Sequence, residues 1–308
     1  MATTDFDLLV VGDANPDVIV SGAPPQLAFG QREQLVETGE LVLGGSGAIT
    51  ACGAARLGLR TAFAGRVGAD AAGDFVLSSL AGRGVDVSAC VVEPARPTAL
   101  TVVLVRGGDR AIMTAPGCLP DPWAVPSSLV ARAAHVHVSS FFLQPGLDVT
   151  GLFAAARERG VGTSLDTNDD PAGEWKGLER VVGLTDVLLP NEAEALAMAG
   201  ALAAAGSDVA DAAAALAALG PLPVVKRGGD GALAWPQDGP LHVPVTVHGT
   251  GFADAVGAGD SFNAGFLAAR LRGLPLRACV ELAVRAGTLS TRAAGGTAAQ
   301  PTWEEATS

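Results

Sequence analysis

Apolar and polar positions along the chain follow two periods. Leu8–Val11 is an unbroken apolar run stopped by Gly12-Asp13, the pattern of a strand buried on both faces. Residues 47–57 recur at helical spacing and stop at Gly58, and Thr61–Ala64 follows as another buried strand. A second helix is predicted over about 73–82, ending near Gly82 and Gly84. The pattern then changes. Apolar runs at 98–105 and 111–114 flank Arg106-Gly107-Gly108-Asp109-Arg110, a β-hairpin signal. From residue 130, strands and helices alternate: His135–Ser139 then 148–159, Gly162–Asp166 then 175–182, 187–189 then 192–199. A strand at 224–226 leads into a hairpin through Trp235, and two long helices follow over about 260–271 and 276–293.

Alternation of this kind predicts an α/β fold, a doubly wound and mostly parallel sheet flanked by helices. Ligands of such sheets gather at the carboxyl ends of the strands. Segment 16–43 breaks the alternation: Pro24-Pro25, Gly30-Gln31 and the run at 40–43 read as strand, loop and strand. Together with 98–115 it is expected to form a small β-sheet lid, leaving 1–15, 44–97 and 116–308 as the α/β core.

Composition narrows the partners. With 308 residues, 49% of them apolar, there is material for one large domain with a sizeable core. A net charge of −12 argues against nucleic acid or an anionic membrane as partner, so a small anionic ligand needs a local basic or N–H-rich pocket. Cys52, Cys90, Cys118 and Cys279 are widely spaced, which suggests free thiols in a reducing compartment. The first residues lack the basic start of a signal peptide. The Ala-rich stretch 195–220 is broken by Gly200, Gly206, Ser207, Asp208 and Asp211, so it reads as soluble helices and not as a membrane span. A cytoplasmic location is expected. His135 and His137 alternate on one strand face and are expected to pack or bond locally, with no third metal ligand evident.

The most informative chemistry is Asp254-Ala255-Val256-Gly257-Ala258-Gly259-Asp260-Ser261-Phe262-Asn263-Ala264-Gly265. Small residues before a helix present backbone N–H groups and a positive dipole end, a good seat for phosphate. A carboxylate in the same turn repels phosphate, unless Asp260 must take a proton from a hydroxyl while the N–H groups hold the phosphoryl in transfer. The simpler alternative is a turn whose aspartate caps the helix. At the end of the first strand, Asp13, Asn15 and Asp17 supply two carboxylates and an amide able to fix vicinal hydroxyls, or else an Asx turn.

The extended string closely resembles the second signature of the ribokinase-like (PfkB) carbohydrate kinase family. The resemblance runs from residue 7 to about 304. It implies an ATP-dependent kinase of a small sugar or sugar-like acceptor, with Asp260 as catalytic base and the Gly257, Ala258 and Gly259 backbone as anion hole. Gly44-Gly45-Ser46-Gly47 resembles the first signature, where a glycine pair lets the chain approach the sugar. Ser46 stands where ribokinase has lysine, and Ile49 where sugar kinases usually have asparagine. Two sugar contacts are therefore missing, which argues against ribose and toward a less polar or different acceptor. The family's sugar-binding aspartate falls on Asp17, with Asn15 and Asp13 nearby, and its Asp-x-Asn element on Asp166 and Asn168. Asn191 and Glu194 fall on the motif that orients Mg²⁺ through waters near the phosphates. Lys226, Gly228 and Gly231, with Gly259, match the nucleotide-binding strand and loop. Asp254, Val256 and Gly295 lie in the loops of the family's potassium site. Related kinases often pair through their lids, so a homodimer is expected. A nucleoside kinase of adenosine or inosine type, and a non-catalytic ligand sensor on the same scaffold, are the alternatives. A dehydrogenase would need a dinucleotide fingerprint that 43–51 does not have.

Overall fold

The computed structural model describes residues 4–107, 109–203, 208–246 and 251–308. Gly108 of the hairpin turn and Gly206 and Ser207 of the Ala-rich stretch lie outside the described residues. In chain order, β1 (Leu8–Val11) is followed by β2 (Asn15–Ser21), β3 (Thr38–Gly44), α1 (Ser46–Arg56), β4 (Thr61–Ala64), β5 (Arg66–Gly68) and α2 (Ala71–Ala81). Next come β6 (Val91–Glu93), β7 (Leu100–Arg106), β8 (Asp109–Ala115), α3 (Ser127–Val130), β9 (His135–Ser139), α4 (Val149–Glu158), β10 (Gly162–Asp166) and β11 (Val187–Leu188). The chain closes with α5 (Glu192–Ala201), α6 (Val209–Ala218), β12 (Leu222–Lys226), β13 (Ala232–Ala234), β14 (Leu241–Val243), α7 (Ala258–Leu271), α8 (Leu276–Ser290) and α9 (Trp303–Thr307).

The main sheet has the order β14-β13-β12-β11-β10-β9-β1-β4, parallel from β12 to β4, with β13 and β14 as an antiparallel edge. Side chains of a strand alternate between faces. Leu8 and Val10 accordingly pack with Phe63, Phe266 and Val280 on one side. Leu9 and Val11 pack with Val136, Phe153 and Leu165 on the other. Among the described residues, no helix is long and apolar enough to cross a membrane.

A second sheet, ordered β3-β2-β7-β8, stands apart from the first. Its register brings Val42, Asp17, Thr101 and Thr114 into one cross-strand row and Leu41, Val18, Val102 and Met113 into the next. Neighbouring rows face opposite ways, so the first row and the second lie on opposite faces.

Two expected elements differ. The helix expected over 175–182 is replaced by two separate 3₁₀ turns, Leu178–Arg180 and Val182–Leu184. The Asp170 carboxylate accepts the N–H groups of Ala172, Glu174 and Trp175, and Trp175 and Gly177 both take positive φ, which a helix cannot propagate. α8 stops at Ser290 and not at 293, because the Thr291 carbonyl accepts the N–H groups of Ala253 and Asp254 and ties the helix end to the loop before α7. The short strands β5, β6 and β14 and the short helices α3 and α9 were not expected from the sequence.

Candidate active site

The carboxyl ends of β1, β9, β10, β11 and β12 all open on one edge of the main sheet. Beyond β1, Asp13 accepts the Gly47 N–H at 3.0 Å. The approach is close because Gly45 sits at φ 89°, where an added Cβ would lie 2.7 Å from Ala14 Cα and the Asp13 carbonyl. Asn15 donates to Asp17 Oδ1 at 2.7 Å and to Thr101 Oγ1 at 3.0 Å. Thr101 in turn shares a hydrogen bond with Thr114. Burial lifts the Asp13 carboxyl above its usual range. Burial, and then the charge of Asp13, push Asp17 up to about 7.

Asp260 lies in the first turn of α7, behind Gly257 at φ 70°. Among the described residues, no side chain caps this helix start. Of the three N–H groups expected in the anion hole, that of Ala258 closes a turn onto the Ala255 carbonyl at 3.2 Å. The Asp260 carboxyl accepts a hydrogen bond from the Ser46 hydroxyl. Burial pushes it up to about 7; the Ser46 bond and Lys226 oppose this, while Asp166 and Asp13 add to it.

Lys226, at the end of β12, donates to Asp166 Oδ2 at 2.6 Å, and Asn263 donates to the same oxygen at 2.6 Å. Burial acts to lower the Lys226 ammonium, but Asp166, Glu194 and Asp260 together hold it above its ordinary range. Asn168, at φ 53°, accepts the N–H of Ser140 at 2.9 Å and so joins the ends of β9 and β10. Ile49 is buried, with Gly257 and Gly296 against its methyl groups, and so backs the loop before α7.

Asn191 and Glu194 close a capping box on α5: Asn191 accepts the Glu194 N–H at 2.9 Å, and Glu194 accepts the Asn191 backbone and side-chain N–H groups at 2.8 and 2.7 Å. Burial, and then Asp166, push Glu194 up to about 7. Asp254 accepts the N–H groups of Val256 and Gly295, both at 3.0 Å, which brings the three residues together. Arg110 of β8 reaches the same carboxylate at 4.0 Å. Beside Lys226 and Gly259 lies a cavity of about 390 Å³, lined by Gly228, Gly231, Val245, Phe252, Phe262, Val284, Thr288 and Thr291.

Thr101, Ser140 and Arg110 join the site without a signal that marks them in the chain. Asn263 also joins it and was findable, since it stands one helical turn after Asp260 on the same face. Thr101 enters only through the pairing of β2 with β7, which no local pattern reveals. His135 and His137 are buried, and each shares the Ser164 hydroxyl at 2.8 Å. Burial drops them to about 3 and about 4, so both are neutral at physiological pH.

A doubly wound sheet with a buried aspartate at a helix start, a lysine beside it and a small sheet over the strand ends defines a phosphotransferase of α/β type. The pfkB family carbohydrate kinase profile matches residues 5–303, and the chain belongs to that family. It is 30% identical over 235 residues to an uncharacterized sugar kinase from Archaeoglobus fulgidus, covering 75% of this chain and 90% of that one. It is 28% identical to a nucleoside kinase from Methanothermobacter thermautotrophicus, covering 91% of this chain and 87% of that one. Among solved structures, the Arabidopsis thaliana ribokinase complexed with ribose and ATP superimposes with a TM-score of 0.82 at 25% identity, covering 98% of this chain and 97% of that one.

Proposed function

We propose that the protein transfers the γ-phosphoryl group of ATP to a hydroxyl of a small, uncharged, sugar-like acceptor. The observation that carries this reading is Asp260, a buried carboxyl at about 7 placed at an uncapped helix start. A general base works best when its pKa lies near the working pH. Asp260 takes the proton of the acceptor hydroxyl as the new O–P bond forms and the bond from phosphorus to the β-phosphate oxygen breaks, releasing ADP. The N–H groups of Gly257, Ala258 and Gly259, with the α7 dipole, stabilise the phosphoryl in transfer. That of Ala258 must leave the Ala255 carbonyl to do so.

The cavity beside Lys226 fits the nucleotide: Val245, Phe252 and Val284 offer apolar walls for a base, and Gly228, Gly231 and Gly259 leave its backbone unobstructed. Asp13, Asn15 and Asp17, at the close approach of Gly44 and Gly45, face the acceptor, with Asp166 and Asn168 between it and the phosphates. Carboxylates there accept from hydroxyls and repel phosphate, so the acceptor is not a sugar phosphate.

Glu194, Asp166 and Asp260 crowd negative charge around Lys226, which fits a dication held through waters by Glu194. When bound, Mg²⁺ supplies charge neutralisation on the phosphates. The oxygen-rich loops at Asp254, Val256 and Gly295 suit K⁺, which would steady the loop before α7. A homodimer through the lid is supported by the apolar outer row, where Leu41 and Met113 are exposed. Four free cysteines are in keeping with a cytoplasmic location.

A nucleoside is the second reading of the acceptor. Outward of Asp17, the same lid face carries Ile19 and Val103, both buried, a surface that suits a base. The test is ADP release with Mg-ATP and K⁺ against hexoses, pentoses, sugar phosphates and nucleosides, beside Asp260→Asn. Turnover on one uncharged acceptor, lost in the variant, is expected. Turnover on a sugar phosphate overturns the acceptor class, and ligand binding without transfer points to a sensor.

A further inference from the structure

Ser46 opens α1 behind the glycine pair, where the resemblance places an acceptor contact. Its hydroxyl is turned elsewhere, donating to Asp260 Oδ1. One turn further along α1, Thr50 donates to the backbone carbonyl of Asp260 at 3.5 Å. The same helix thus holds Asp260 by side chain and by backbone. Its start is fixed in turn: Gly47 N–H is bound by Asp13 at 3.0 Å, and Ile49 N–H closes on the Gly45 carbonyl at 2.9 Å.

We infer that Ser46 is a positioning residue for the catalytic base, holding one carboxylate oxygen of Asp260 and leaving the other to receive the acceptor's proton. This rests on the kinase reading of the site. With Ser46 engaged and Ile49 buried, the start of α1 offers the acceptor no free side-chain donor, and specificity falls to Asp13, Asn15, Asp17 and the lid.

The charged groups facing Asp260 are Asp13 after β1, Asp166 on β10 and Lys226 on β12. Burial and the two aspartates favour the protonated form; Ser46 and Lys226 favour the carboxylate. Lys226 is already bound to Asp166. Losing the Ser46 hydroxyl therefore removes the only donor bonded to the Asp260 carboxylate among the described residues.

The test is a ¹³C-carboxyl NMR titration of Asp260, its resonance assigned by loss in Asp260→Asn. Ser46→Ala is expected to move the midpoint up by about one pH unit, the scale of a hydrogen bond to a charged group. Ser46→Thr, which keeps the hydroxyl, is expected to titrate as wild type. The acid limb of kcat is expected to move with the titration while the acceptor KM stays within about twofold. An unmoved titration in Ser46→Ala overturns the inference. So does a rise in acceptor KM with the pH profile unmoved, which would make Ser46 an acceptor contact. Absence of turnover on every acceptor would remove the kinase reading, and the NMR titration would still decide whether Ser46 holds Asp260.

Discussion

The buried Asp260 carboxyl, pushed up to about 7, serves two opposing ends. The proposed reaction needs Asp260 ionised, so kcat is expected to fall as pH drops through about 7 and to level off above it. Stability runs the other way. The folded pKa is raised from 3.8 to about 7, so the folded state binds the proton more tightly than the unfolded chain. The stability this group contributes is present at low pH and is lost as pH rises from about 4 through about 7. Asp260→Asn should therefore cost at least ~10²-fold in kcat yet melt higher than wild type at pH 8, with the gain shrinking at pH 5. A thermal melt at both values checks it, and an equal or lower melting temperature at pH 8 would contradict the burial argument. Gly44 gives a second residue-scale prediction. An added Cβ there would collide with the Asp17 carboxyl. Gly44→Ala should raise the acceptor KM by about 10-fold or more, the worth of a hydrogen bond to a charged group, and leave the ATP KM unchanged. Residues such as Asp260, Asp254 and Gly45 were legible because short local strings enclose them. The pairings of Thr101 with Asn15 and of Asp166 with Lys226 join residues far apart along the chain and were not.

Among the elements, α5 joins stability to the proposed chemistry through its first turn. The two Glu194 oxygens are held by Asn191, which also caps the helix. Asn191→Ala should cost about 1 kcal/mol of stability, the usual worth of an N-cap, and should also raise the Mg²⁺ concentration needed for half-maximal rate. Chemical denaturation and a Mg²⁺ titration separate the two effects. Loss of stability with an unchanged Mg²⁺ requirement would leave Asn191 a cap alone. Elements with a clear apolar pattern, the unbroken runs of β1 and β4 and the helical spacing of α1, were legible, since burying their apolar positions dictates their form. The 175–182 segment was not, because Asp170 binds three backbone N–H groups and Gly177 breaks the helical course. Three-residue strands such as β5 and β6 are too short to carry a period.

For the whole molecule, the alternation of elements made the doubly wound class legible, while the order of strands in the sheets was not. The parallel pairing of β2 with β7 joins two distant stretches into one small sheet, and only register shows which side chains share a row. That register also gives a prediction on assembly. Leu41 and Met113 sit at opposite ends of one outer row, with Val18 and Val102 between them. Leu41→Asp combined with Met113→Asp should convert the proposed dimer to monomer in sedimentation velocity, with the melting temperature of the monomer little changed. A variant that remains dimeric would move the interface off the lid.

The way this lid is hung has a mechanical consequence. β2 leaves the core at Asn15 and β3 returns to it at Gly44, directly opposite in register, so both strands are rooted at the same end of the sheet. Asp17 lies next to this fulcrum, whereas Arg110 shares the far row with Ser21 and Val105. At ~3.3 Å of rise per residue, a tilt of about 10° displaces the far row by ~3–4 Å and Asp17 by only ~1 Å. Under the proposed function, grip and gate would sit at different radii of one lever: the acceptor would be held where leverage is least, and the cleft mouth swept where it is greatest.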